Sequence, residues 1–138
     1  MTVDSPVPAP DYYNYQKDRI SHWNNVARDY LDRKNTGRYY HQRLTEIYSY
    51  LVPPGKRVIE FGCGDGRLLA SLKPSYGVGI DFSPEMFQRA QAKNPEYRFI
   101  LADVHELQLN EKFDVIIMSD LVNDLWDVEQ VFRIAGQL

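Results

Sequence analysis

The sequence predicts an α/β protein, a doubly wound and mainly parallel sheet preceded by two helices. Three observations carry that prediction. Short apolar runs stand at Arg57-Val58-Ile59-Glu60-Phe61, Tyr76 to Ile80, Tyr97 to Leu101 and Phe113 to Met118. Segments of helical pattern lie between them, in units of roughly 20 residues. A glycine cluster, Gly62-Cys63-Gly64-Asp65-Gly66, joins the first run to the helical segment after it. Strands alternating with helices at this spacing pair in parallel through right-handed crossovers.

The elements follow in order. Residues 1–14 carry Pro6, Pro8 and Pro10 with few large apolar groups, and read as a flexible lead-in. Residues 15–52 hold two amphipathic helices. In the first, about Tyr15 to Lys34, Ile20, Trp23, Val26, Ala27, Tyr30 and Leu31 recur at helical spacing, and Asn35-Thr36-Gly37 ends it. The second runs from about Arg38 to Leu51, with Tyr40, Leu44, Ile47, Tyr48 and Leu51 on one face, and Pro53-Pro54-Gly55 stops it. Residues 53–138 form the α/β core. Arg67 to Lys73 reads as a short helix. Ser83-Pro84 opens another, with serine as N-cap and proline in the first turn. The Phe113–Met118 strand is almost continuously apolar, which predicts burial on both faces. Asp127 to Leu138 reads as the last helix.

Composition narrows the function classes. The chain has 138 residues and a formal net charge of −3. From Asp81 onward eleven acids face five Lys and Arg, whereas residues 1–80 hold eleven Lys and Arg against eight acids. An acidic half disfavours a nucleic-acid partner. No apolar run approaches a membrane span, and the polar start is not a signal peptide. The single cysteine excludes an internal disulfide framework and fits a reducing, cytoplasmic setting. Three histidines and one cysteine without ligand spacing predict no metal site.

The glycine cluster is the strongest chemical signal. A sharp turn where a ligand nears the main chain needs residues without a Cβ, and the following helix aims free N–H groups at the loop. A dinucleotide fingerprint would need glycine where Arg67 stands, and a phosphate-cradling loop would need Gly-Lys-Ser/Thr where Gly66-Arg67-Leu68 stands. Neither fits.

Glu60-Phe61-Gly62-Cys63-Gly64-Asp65-Gly66 resembles the first motif, E-x-G-x-G-x-G, of class I S-adenosylmethionine-dependent methyltransferases. Three later motifs agree in order, and the resemblance covers about residues 38–135. It implies that S-adenosylmethionine is the cofactor, with Glu60, Gly62, Gly64 and Gly66 forming its turn. Asp81 would hold the ribose hydroxyls and Asp103 would accept from the adenine amine, between the apolar walls Phe82 and Val104. The Phe113–Asp120 segment would bring backbone close to the sulfonium, at Ser119. The two N-terminal helices would cover the cofactor pocket, where Arg38, Tyr40 or His41 are candidates to touch the cofactor's carboxylate or the acceptor. His105 is expected to be a surface loop histidine, and Cys63 a small buried filler. Asp120, Asn123 and Asp124 follow the fourth strand, where acceptor-orienting groups fall, although Asp124 and Asp127 could equally open the last helix.

No catalytic base is identified. The Ser119-Asp120-Leu121-Val122 segment lacks the motif of amino-methylating DNA enzymes and the glutamate pair of arginine methyltransferases. That leaves small molecules, lipids, glycans or another protein as acceptors, and a small-molecule, lipid or glycan acceptor is expected. Tyr39 to Gly66 and Ser119 to Asp127 also resemble methyltransferase-like domains joined to a glycosyltransferase, which leaves a non-catalytic cofactor-binding or scaffolding module as the alternative. The family's sheet has seven strands and four are predicted here. The chain thus reads as truncated after the fourth strand, its sheet completed by a further domain or by a second copy in a homo-oligomer.

Overall fold

The computed structural model describes residues 9–29 and 37–138. Its core is a four-stranded sheet of β1 (Arg57–Phe61), β2 (Tyr76–Asp81), β3 (Arg98–Leu101) and β4 (Val115–Ile117) in the order β3-β2-β1-β4. All three pairings are parallel, with Ile59 opposite Val78 on one side and Ile116 on the other. Strand order reverses at β1, because the chain moves outward to β2 and β3 and then returns to β4. A crevice opens at such a switch point, beyond the carboxyl ends of the strands.

Two apolar layers hold the sheet. Val58, Leu69, Leu72, Ala90 and Phe99 pack on one face, and Ile59, Phe61, Val78, Ile80 and Val131 on the other. The helices α3 (Arg67–Ser71), α4 (Pro84–Lys93) and α5 (Val128–Ala135) supply these layers. Their N-termini follow local chemistry. Ser83 caps α4 by accepting from Met86 N–H, with Pro84 in the first turn, and Asp127 caps α5 by accepting from Gln130 N–H. Of the two acids weighed as the opening of the last helix, it is Asp127 that serves.

Several expectations shift. The first helix, α1, spans Pro10–Asp29, so it begins inside the segment expected to be a flexible lead-in. Pro10 can stand there because a helix start leaves its N–H groups unpaired, and proline lacks one. The expected break at Asn35-Thr36, together with Tyr30 and Leu31, lies outside the described residues. The second helix, α2, spans Arg38–Leu51 as expected, yet none of its residues is fully buried, and Ile47 and Leu51 are exposed. The fourth strand is shorter than expected and only Ile117 is fully buried; Val115 and Ile116 are half-buried. The physical reason is one-sided pairing. Among the described residues β4 bonds to β1 alone, so no neighbouring strand screens its other edge.

Candidate cofactor site

A cavity of about 980 Å³ occupies the switch-point crevice. The turn after β1 forms its floor. Gly62 and Gly64 both have positive φ, at 68° and 55°, which L side chains rarely adopt. A Cβ on Gly62 would meet Leu121 Cδ1 at 2.9 Å, so the loop after β4 lies directly against this turn. Around Gly64 the nearest atom to an added Cβ is Met86 Sδ, at 3.9 Å, leaving the main chain open to the cavity. Gly66 differs from expectation, because it does not line the cavity. Its Cβ would strike Phe99 Cζ at 2.8 Å, so the position serves close packing beneath the turn.

Three carboxylates expected at the site converge on the cavity wall: Glu60, Asp81 and Asp103. Glu60 is the last residue but one of β1, is 3% exposed, and its Oε2 has no partner among the described residues. Burial pushes its pKa well above the usual carboxylate range, only partly offset by a backbone hydrogen bond at Leu69, and nearby Asp81 and Asp65 push the same way. Asp81 ends β2. Its Oδ2 accepts from Gly64 N–H and its Oδ1 from Ser83 N–H, both at 2.9 Å, so this carboxylate also pins the glycine turn. Burial still raises its pKa.

Asp103 sits in a more crowded setting. Its Oδ1 accepts from His105 N–H at 2.9 Å and from His105 Nδ1 at 2.6 Å. Its Oδ2 accepts from Tyr12 Oη at 2.9 Å and from Gln16 Nε2 at 3.0 Å. Burial opposes ionisation, but the His105 and Gln16 hydrogen bonds outweigh it and hold the pKa down to about 2. The remaining expected residues, Phe82, Val104 and Ser119, also line the cavity, as do Arg38, Tyr40, His41, Asp120 and Asp124.

His105 is not a surface histidine. It is 4% exposed, and its Nε2 accepts from Asp127 N–H at 3.2 Å, which leaves Nδ1 to carry the proton it gives Asp103. It links Asp103 to the cap of α5. Cys63 is buried as expected, and burial pushes its thiol pKa well up, which suits a packed, protonated filler. Asp65, on the same turn, is anchored by Lys93 at 2.7 Å and Arg67 at 3.4 Å.

The sequence reading missed the role of α1. Tyr15, Trp23 and Val26 line the cavity, and polar side chains on the same helix reach the loops after β2, β3 and β4. Asn24 Oδ1 accepts from Ser83 Oγ after β2. Tyr12 and Gln16 hold Asp103 after β3. Arg19 and Trp23 donate to the Asp124 carboxylate after β4, and Tyr15 donates to the Asp124 carbonyl. Asp124 thus fastens a helix and does not open one. Tyr12, Gln16, Arg19 and Trp23 recur at helical spacing, a polar stripe that was readable in the sequence. On the facing side, Tyr40 of α2 donates to Asp120, which holds its pKa near 12.

Comparison with known proteins settles the family. A family of proteins described as methyltransferase domain matches residues 58–137. The chain belongs to that family. Its sheet and helices have the Rossmann-like fold of class I methyltransferases. The methyltransferase domain is 35% identical over 83 residues to a malonyl-[acyl-carrier protein] O-methyltransferase of Bacillus anthracis, covering 56% of this chain and 31% of that protein. It is 25% identical over 132 residues to a ubiquinone biosynthesis O-methyltransferase of Pseudomonas putida, covering 87% of this chain and 57% of that one. The chain therefore spans a third to just over half of these relatives. Among solved structures, the domain superposes on the N-methyltransferase NodS of Bradyrhizobium japonicum bound to S-adenosyl-L-homocysteine, with TM-score 0.68 and 19% identity, over 89% of this chain and 65% of that one. It also superposes on a magnesium protoporphyrin IX methyltransferase of Synechocystis with bound S-adenosylmethionine, with TM-score 0.67 and 19% identity, over 89% and 69%.

Proposed function

We propose that this domain binds S-adenosylmethionine in the switch-point cavity and transfers its methyl group to a small-molecule, lipid or glycan acceptor. The observation that carries the reading is Glu60, a buried carboxylate that lines the cavity and has one oxygen without a partner among the described residues, beside a glycine turn whose main chain lies open. A buried carboxylate oxygen without a partner is costly and calls for a cationic donor. The cofactor brings an ammonium and a sulfonium against one carboxylate. Glu60 would take the ammonium, Gly62 and Gly64 would let the ligand approach the main chain, and Asp81 would receive the ribose hydroxyls while still pinning the turn. Phe82 and Val104 would wall the base, and Ser119 would stand near the sulfonium.

When bound, the cofactor supplies an activated methyl group for in-line displacement. The chain's own part is alignment and exclusion of water, which can supply roughly 7–11 kcal/mol in favourable cases. Two of the relatives are O-methyltransferases by name and one structural neighbour is an N-methyltransferase, so the reading stops at the acceptor class.

Calorimetric titration of S-adenosylmethionine into the protein tests this. Saturable binding is expected, weakened at least tenfold in Asp81→Ala through loss of charge-assisted hydrogen bonds, each worth about 1.5–3 kcal/mol. No saturation with the wild-type protein, or equal binding by both, would sink the reading. Incubation with methyl-labelled cofactor and a cell extract then separates an enzyme, which passes on label, from a binding module, which does not.

A further inference from the structure

An ionised carboxylate offers about four lone-pair positions, two on each oxygen. Asp103 has all four engaged by this chain, two by His105 and two by Tyr12 and Gln16, at 2.6–3.0 Å. Two of these partners are held in turn. His105 is buried and fixed on its far nitrogen by Asp127 N–H. Tyr12 is 5% exposed, with its ring edge-on to His105 and to Trp126. Of these partners His105 borders the cavity together with Asp103, whereas Tyr12 and Gln16 do not, so the two Oδ2 bonds are made on the side away from it.

From this saturation we infer that Asp103 is a positioning residue, which seats α1 as the cavity wall and does not read the exocyclic amine of the bound base. The inference rests on the cofactor reading above. α1 brings Tyr15, Trp23 and Val26 to the cavity, and the Tyr12 and Gln16 bonds to Asp103 are its fastening on the β3 side. The base is then recognised by the shape of the slot between Phe82 and Val104. Removal of the 6-amine therefore changes affinity little.

Two ligands decide the matter: S-adenosylhomocysteine and its 6-deamino analogue, in which hydrogen replaces the 6-amine and N1 remains an acceptor. A hydrogen bond from the amine to an ionised carboxylate would be worth about 1.5–3 kcal/mol, which is more than tenfold in affinity. Calorimetry on the wild-type protein is expected to give Kd values within tenfold of each other. A preference of tenfold or more for the adenine ligand would overturn the inference and leave the cofactor reading intact. Binding of neither ligand would overturn the cofactor reading and this inference with it. Asp103→Asn adds a second readout. It is expected to weaken both ligands by the same factor and to speed amide exchange in α1. A selective loss of the adenine ligand, with α1 exchange unchanged, would again overturn the assignment. If that variant does not fold, the wild-type ratio decides alone.

Discussion

A single oxygen, Glu60 Oε2, separates this cavity from an ordinary sheet-end crevice. Burial favours the protonated acid in the free protein, whereas an ammonium at hydrogen-bond distance favours the carboxylate. Ligand binding should therefore expel a proton wherever the free acid is protonated. Titrations of S-adenosylmethionine in buffers of differing ionisation enthalpy are expected to show net proton release. Glu60→Gln should abolish it and weaken binding, because the amide cannot become anionic. Equal proton release by the variant would assign the effect elsewhere. The position of Glu60 was legible in the sequence, one residue before Phe61-Gly62, because strand end and glycine turn fix it. The unpartnered state of its Oε2 was not, since that depends on what surrounds the side chain in the fold. His105 shows the same limit. A histidine two residues after an aspartate has no sequence mark of burial, and only the packing of Tyr12 and α5 encloses it.

At the scale of elements, the strands and helices of the core were legible because each carries its own signal: apolar runs, the Ser83-Pro84 cap, the glycine turn. α1 was legible as a helix but not as a clasp. Its hydrophobic periodicity describes only one side, while its binding side is the polar stripe from Tyr12 to Trp23. The strongest stitch is Arg19 to Asp124, with Nε and Nη2 both donating to Oδ2 at 3.1 and 2.9 Å. Both side chains are largely shielded, with 28% and 21% exposure. Arg19→Ala should cost on the order of 1–2 kcal/mol of local stability, since partly buried charge-assisted bonds exceed surface pairs. Amide exchange in α1 is then expected to accelerate about tenfold, with the amides of β1 and β2 unchanged. Uniform acceleration across the sheet would show that α1 does not open independently.

Across the whole molecule, buried carboxylates pull stability in opposite directions with pH. Lys93 and Arg67 lower the pKa of Asp65 despite its burial, and Asp103 lies near 2. Their stabilisation is complete above the unfolded carboxylate range, about pH 4, and is lost as pH falls through the folded values. Glu60 and Asp81 are raised, so their ionised forms cost stability, and protonation relieves that cost as pH falls toward about 4. The unliganded protein should therefore melt highest in mildly acidic solution, about pH 4–6, and lower on both sides. Saturating S-adenosylmethionine should raise Tm more at pH 7.5 than at pH 5. Thermal melts from pH 3 to 8 with and without ligand check both statements, and a maximum at or above pH 7 without ligand would contradict the first. None of this balance was visible in the net charge of −3, which counts the same acids without their surroundings.

The stitching of α1 also fixes an order of events in synthesis. Tyr15 is bonded to a residue 109 positions later, and Tyr12 to one 91 positions later. α1 precedes the sheet in the chain and therefore cannot complete its docking until β3, β4 and the turn at Asp124 have left the ribosome. At about 5–20 residues per second these bonds wait several seconds to form. Contacts this distant in sequence slow folding, so the wall of the cavity should be the last part to close on a nascent chain whose sheet is already paired.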